Sequence, residues 1–337
     1  MKNIIKICLV FFAVFTFPSS WAATVYVFGD SLSDTGNDII LTKAQRIFPA
    51  IPPSESPHRT YYNGRFSNGP VSVEYLWRLL QNDRKAVLTP FMSKQGLTLD
   101  GGVSLAFGGS KSGFVSQTPG LFYVPGVLGQ IELFRKALKG KKPKADALYV
   151  IWTGANDYIV PERGEGPAEP AEVVANITKA IETLYSIGAR NFLVPNLPDL
   201  GLALIVHDSA SQFSRLTQGH NALLERARDE LDIRLKGANI TLVDIYTVSQ
   251  NLLSTGTPTT PDSKHILIFP PALFDISGEV AGACLFSDPT KCPDVNVTGN
   301  LSKAYYFWDI LHPTTLIHGY FGQAMFDKWK SEHPDTK

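Results

Sequence analysis

Short β-branched or aromatic runs alternate along this chain with segments of helical spacing, and no other feature limits the fold so sharply. Thr24 to Phe28, Val103 to Phe107, Ala147 to Thr153, Asn191 to Pro195 and Ile240 to Tyr246 are nearly continuous apolar runs. That is the pattern of parallel strands covered on both faces. Between them, Val71 to Leu80 follows a Gly-Pro start, Gly129 to Leu138 ends at Gly140, Ala171 to Ile187 stops at Gly188, and Ser211 to Leu235 stops at Gly237. Pro313 to Lys330 closes the chain. Proline near the start and glycine past the end are helix boundaries. The alternation predicts an α/β protein, a three-layer α/β/α sandwich around a central parallel sheet. Asp38 to Asn68, Thr118 to Gly126 and Gln250 to Ser302 read as Pro/Gly/Ser-rich loops or insertions, and loops of that length usually serve function. No fixed-period repeat or heptad run interrupts the pattern, so a single domain is expected.

The N-terminus stands outside this pattern. Lys2 and Lys6 precede an apolar run from Ile7 to Phe17, and Pro18-Ser19-Ser20-Trp21-Ala22 supplies small residues for cleavage after Ala22. This is the layout of a secretory signal peptide; a membrane anchor needs about 20 apolar residues, and the run is shorter. Residues 1–22 are therefore read as a signal peptide and 23–337 as the domain, secreted or periplasmic. Cys8 leaves with the signal, and Cys284 and Cys292 remain. In an oxidising compartment they read as a structural disulfide, with free thiols the alternative, and no second ligand cluster accompanies them to make a zinc site. The 31 basic and 31 acidic side chains balance, which removes the electrostatic argument for nucleic acid as a partner. With 44% apolar and 18% charged residues, disorder is excluded.

Four segments carry side chains suited to chemistry. Gly29-Asp30-Ser31-Leu32 follows the first strand, where open α/β sheets put reactive groups, although Ser and Asp also begin turns and cap helices. Phe107-Gly108-Gly109 ends a second strand with backbone N–H groups clear of side chains, suited to an oxyanion or simply to a tight turn. Thr153-Gly154-Ala155-Asn156 ends the most apolar strand, and the Asn amide there can donate into the same crevice or close an Asx turn. Asp309 and His312 are three apart just before the last helix, so one short turn can aim both at one point, the carboxylate orienting an imidazole that takes a serine proton. Asp262 and His265 have the same spacing inside a Thr/Pro-rich insertion. His58, His207, His220, His318 and His333 lack an acidic partner at short spacing and read as surface or hydrogen-bonded histidines.

In this order, the four segments resemble the conserved blocks of the GDSL/SGNH ester hydrolases. The resemblance spans nearly the whole chain after Ala22. It implies a flavodoxin-like sheet, Ser31 as nucleophile, His312 as general base and then acid, and Asp309 as its orienter. The implied oxyanion donors are the backbone N–H of Ser31, that of Gly108 (with Gly109 its neighbour) and the amide of Asn156. Ser104 departs from the family's usual Asn. No Gly-x-Ser-x-Gly elbow occurs, which disfavours the α/β-hydrolase version of the triad. Tyr62-Asn63-Gly64-Arg65-Phe66-Ser67-Asn68-Gly69-Pro70 is similar to the "GR-SNG" stretch of bacterial and plant GDSL lipases. The Cys-bounded loop before Tyr305-Tyr306-Phe307-Trp308-Asp309 resembles that of secreted bacterial lysophospholipases, phospholipases A and related acyltransferases and choline-ester hydrolases, in some of which a protease nicks a disulfide loop to activate the enzyme; Lys291 would be the nick site here, or else part of an ordinary surface loop.

The resemblance thus implies a secreted serine ester hydrolase of lysophospholipase or phospholipase A type, needing no metal or organic cofactor. Its partners would be a lipid or other acyl ester, a membrane surface, and an activating protease at the Cys284–Cys292 loop. A short-acyl esterase acting on acetylated sugars or choline esters, an acyltransferase, and a catalytically silent lipid-binding surface protein are the competing readings. Phe114, Leu121 to Val124 and Ile266 to Leu273 would line an acyl groove or else pack on one another.

Overall fold

Side chains of the first strand, β1 (Thr24–Gly29), alternate between two buried faces: Val25 and Val27 join one apolar cluster, Tyr26 and Phe28 another. A strand buried on both sides must lie inside a sheet with helices above and below. The computed structural model describes residues 24–55, 61–118, 122–161, 164–255 and 306–334, and its main sheet meets that requirement. The other strands are β2 (Thr89–Pro90), β3 (Gly101–Ser104), β6 (Leu148–Trp152), β7 (Asn191–Pro195) and β8 (Asn239–Val243). They form a six-stranded sheet of order β2-β3-β1-β6-β7-β8, parallel at every pairing. From β3 onward this is the doubly wound flavodoxin-like order, whose switch point lies beside the first strand. A small antiparallel hairpin, β4 (Val115–Gln117) and β5 (Tyr123–Pro125), stands apart from it.

Helices cover both faces. On the Val25/Val27 side pack α2 (Ser72–Gln81), α7 (Ile245–Thr255) and the last helix, α8 (Thr315–Glu332). On the Tyr26/Phe28 side pack α3 (Val127–Ala137), α5 (Pro170–Ser186) and α6 (Ala210–Arg234). Two shorter helices, α1 (Asn37–Ala44) and α4 (Ala155–Ile159), begin just past β1 and β6. Among the described residues, no helix is long and apolar enough to cross a membrane.

Several elements depart from the sequence expectation for identifiable reasons. Helix α1 occupies a stretch read as loop, because the Asp34 carboxylate accepts the N–H groups of Gly36, Asn37 and Asp38 at 2.8, 2.6 and 3.1 Å and so starts a helix. The run Ile240 to Tyr246 is not all strand: Asp244 Oδ1 accepts the Thr247 N–H at 3.0 Å, which turns the chain into α7. Strand β3 lies earlier than Val103 to Phe107, since Thr24 pairs with Gly101. Leu105 and Phe107 nevertheless continue donating to Val27 and Gly29 of β1.

Candidate active site

Ser31 stands at the turn off the C-terminal end of β1, 6% exposed. Asp30 closes that turn, its Oδ1 accepting the Leu32 N–H at 3.0 Å and its carbonyl the Ser33 N–H. Gln130 of α3 grips the strand end with both halves of its amide, taking the Gly29 N–H at 2.9 Å and giving to the Gly29 carbonyl at 2.8 Å. Ser104 donates to the Ser33 carbonyl at 2.8 Å, so the residue that departs from the family pattern braces the turn carrying Ser31. Asn37 ties α1 to the end of β3 by donating to the carbonyls of Ser104 and Ala106.

Across a sequence gap of 281 residues, His312 Nε2 lies 2.9 Å from Ser31 Oγ, while its Nδ1 lies 2.7 Å from Asp309 Oδ2. The local fold accounts for this aim. Trp308 N–H donates to the His312 carbonyl at 2.7 Å and Phe307 bridges Pro313, so the segment folds back tightly just before α8. Within that turn, Asp309 Oδ1 accepts the N–H groups of Leu311 and His312 at 2.8 and 2.7 Å. Burial alone would raise the Asp309 pKa, but His312 and these backbone donors outweigh it and bring it down to about 2. The carboxylate is therefore ionised, and the imidazole has a fixed anion behind it.

The Arg65 to Pro70 stretch acts as a brace for this turn. Ser67 Oγ donates to the Pro313 carbonyl at 2.9 Å, Asn68 Oδ1 accepts the Thr315 N–H at 2.8 Å, and Thr315 Oγ1 donates to the Pro70 carbonyl at 2.9 Å. Arg65 holds the stretch to α2 through a two-pronged contact with Glu74, at 3.1 and 2.6 Å. The Phe66 ring lies 5.2 Å from the His312 ring.

Asn156, 5% exposed, gives one amide N–H to the Ser110 carbonyl at 3.0 Å; an Asn amide carries a second. Ser31, Asn156 and His312 line one cleft whose walls are largely apolar, among them Leu32, Pro198, Leu200, Ala203, Phe307 and Leu311. Gly108 lies alongside, one residue past the Phe107–Gly29 hydrogen bond, and is not among the residues lining that cleft. A Cβ at 108 would collide with the Phe66 ring and lie 2.7 Å from Asp38 Oδ2, so only glycine fits there. Burial and the neighbouring Asp34 hold the Asp38 pKa well above the ordinary carboxylate range, against the pull of the Gly108 N–H.

Cys284, Cys292, Lys291, Asp262, His265 and Ile266 to Leu273 lie outside the described residues, as do His58 and residues 1–23. Phe122 and Val124 pack inward with Phe107 rather than lining the cleft, and Phe114 is half exposed beneath Lys179. His220 and His318 are buried, bonded to Tyr158 and Ser72, and burial lowers both pKa values to about 3. Sequence reasoning did not single out the segment after β7, which supplies Pro198 to Ala203, or Tyr61, whose hydroxyl donates to Asp309 Oδ2 at 2.8 Å. The signal for the first was its place at a strand's C-terminal end; Tyr61 left none.

The family model of GDSL-like lipases and acylhydrolases matches residues 25–325. The chain belongs to that family. It is similar to the thermolabile hemolysin of Vibrio parahaemolyticus, at 27% identity with 90% of this chain and 63% of that protein covered. This chain thus spans less than two thirds of the hemolysin's length. It is also similar to the phosphatidylcholine-sterol acyltransferase of Aeromonas hydrophila, at 27% identity over 87% of this chain and 86% of that one. Among solved structures, a G-D-S-L lipolytic protein from Veillonella parvula aligns at 12% identity and a TM-score of 0.41, covering 92% of this chain and 96% of that one. Membership places the chain among the GDSL-like lipases and acylhydrolases, on a parallel sheet with helices on both faces.

Proposed function

We propose that this GDSL enzyme is a secreted serine ester hydrolase of lysophospholipase or phospholipase A type, working through an acyl-enzyme on Ser31. The observation that carries the reading is the continuous chain of contacts Ser31–His312–Asp309, at 2.9 and 2.7 Å. Ser31 Oγ attacks the ester carbonyl carbon while His312 Nε2 takes its proton. The carbonyl electrons move onto oxygen, where the N–H of Ser31 and the second amide N–H of Asn156 receive the charge; the Gly108 N–H, which the family resemblance adds to this set, is turned toward the Asp38 carboxylate. Collapse of this intermediate expels the alcohol, which takes the proton from His312 and leaves the acyl group on Ser31. Water then attacks the acyl carbonyl with His312 again as base; the bond to Ser31 Oγ breaks, the carboxylic acid leaves, and His312 returns the proton to Ser31. Asp309, unable to protonate near neutrality, holds the imidazole in the tautomer with hydrogen on Nδ1.

The lipid assignment rests on the apolar walls of the cleft and on the likeness to two relatives named as a hemolysin and a phosphatidylcholine-sterol acyltransferase. The second name also favours acyl transfer, in which an acceptor alcohol replaces water in the last step. The test is a substrate panel of lysophosphatidylcholine, with and without a sterol acceptor, against p-nitrophenyl acetate and an acetylated sugar. We expect the lipid to be hydrolysed fastest, a fluorophosphonate to label Ser31, and Ser31→Ala to abolish both. Asn156→Ala should slow turnover by about 10²-fold or more. Faster turnover of the short esters overturns the lipid assignment, and undiminished hydrolysis by Ser31→Ala overturns the mechanism.

A further inference from the structure

Asp309 Oδ2 accepts two hydrogen bonds, from His312 Nδ1 at 2.7 Å and from the Tyr61 hydroxyl at 2.8 Å. Tyr61 lies 248 residues away in sequence, yet its ring is held edge-on by Phe66 and Trp308, with centroids 6.3 and 6.4 Å distant. Its N–H donates to the Pro53 carbonyl at 2.8 Å. Ring and backbone are both fixed, so the hydroxyl is aimed. Burial, and then the charge of Asp309, push the Tyr61 pKa far above the ordinary phenol range, so the group stays a donor wherever the enzyme is folded. With the two N–H groups on Oδ1, the carboxylate accepts four hydrogen bonds, and a single side chain outside the Asp309–His312 turn supplies one of them.

We propose that Tyr61 is a positioning residue of the acid–base pair: its hydroxyl orients the Asp309 carboxylate toward His312 and limits how tightly that carboxylate holds the imidazolium. The inference rests on the serine mechanism given above. The physical argument is competition at one oxygen. A donor on Oδ2 draws off charge that would otherwise act on Nδ1–H, and it removes the carboxylate's freedom to rotate. Without it the carboxylate pairs more strongly with a protonated ring, so a larger share of the enzyme is held with the base already occupied. Among the described residues, the other titratable groups that interact with His312 include Asp30, from the Ser31 turn, and His318, from α8. Both are untouched by substitutions at Tyr61, so a shift between wild type and variant reports on Tyr61.

Tyr61→Phe keeps the ring and removes the hydroxyl. Hydrolysis of a chromogenic ester by the full chain should show kcat per fluorophosphonate-titrated site falling about tenfold with KM within about twofold, and the acid limb of kcat/KM moving upward by roughly half a pH unit or more. Tyr62→Phe, whose hydroxyl lies outside this set, should leave both unchanged. A residue that only packs would lower the titrated fraction or the melting temperature and leave the pH profile in place. Should the Phe variant fail to accumulate, 3-fluorotyrosine at position 61 strengthens the donor without altering the fold, and the acid limb should then move downward. A Tyr61→Phe profile superimposable on wild type, or a 3-fluorotyrosine shift in the wrong direction, overturns the proposal. Failure of the serine mechanism would appear separately, as hydrolysis that survives Ser31→Ala.

Discussion

Asp30 sits between the end of the sheet and Ser31, 2% exposed, and is half of a conflict. Burial raises its pKa to about 7, against the pull of the Leu32 N–H and of His312. In the unfolded chain the same carboxyl ionises near its ordinary value of 3.8. Between those two values the folded state holds a proton that the unfolded state has released, so stability falls as pH rises through the window and levels off above it. Asp30→Asn keeps an oxygen for the Leu32 N–H and removes the charge. Urea unfolding should therefore find the variant and wild type equal near pH 4. By pH 7.5 the variant should be more stable by roughly 2–4 kcal/mol, at about 1.4 kcal/mol per unit of displaced pKa. A constant difference at both pH values would show that Asp30 is not the group titrating. The Gly-Asp-Ser pattern marked this turn in the sequence, but a charge conflict depends on surroundings that include Asp157 of α4 and the His312 turn, and local sequence cannot display it.

Helix α8 is buried nearly all round, from Thr315 and Leu316 through Phe326 and Trp329, because the sheet, α2 and α7 all pack against it. The approach is closest at Gly322, where a Cβ would lie 2.6 Å from both the Ser72 carbonyl oxygen and Tyr75 Cβ. Backbone cannot yield as a side-chain tip can. Gly322→Ala should destabilise by about 2 kcal/mol and, by displacing the helix that follows His312, should lower kcat as well. Gly219 in α6 is the control. A Cβ there meets only Pro170 side-chain carbons, at 3.6 Å and beyond, so Gly219→Ala should raise stability by roughly 0.5–1 kcal/mol. Two-point urea curves on each variant decide both. Element types were legible wherever periodicity ran long, as in α5 and α6. They were misread where one capping carboxylate decided the matter: Asp34 begins α1 and Asp244 begins α7, in stretches whose composition read as loop and as strand.

At the scale of the molecule, the sheet delivers Ser31 and Asn156 to one rim, since each follows a central parallel strand at its C-terminal end. That much was legible from strand–helix alternation, because the rim location follows from topology alone. The imidazole is a different case. Among the described residues no strand leads into His312, and its position depends on the turn before α8 and on the Arg65 to Pro70 brace. The sequence marked that brace as a motif without revealing what it holds. The site therefore has two parts of different stability: a half built into the sheet, which should survive until global unfolding, and a half tied on by hydrogen bonds. Ser67→Ala cuts one tie, leaving the Pro313 carbonyl without the bond made at 2.9 Å, a loss of about 1–3 kcal/mol for a buried acceptor. Wild type should lose ester hydrolysis and near-UV circular dichroism at the same urea concentration. In Ser67→Ala, activity should disappear at a lower concentration than the sheet does, because the turn carrying His312 can leave Ser31 while β1 and β6 remain paired. Coincident transitions in the variant would mean that the turn and the sheet unfold as one unit, and that the brace contributes only to global stability.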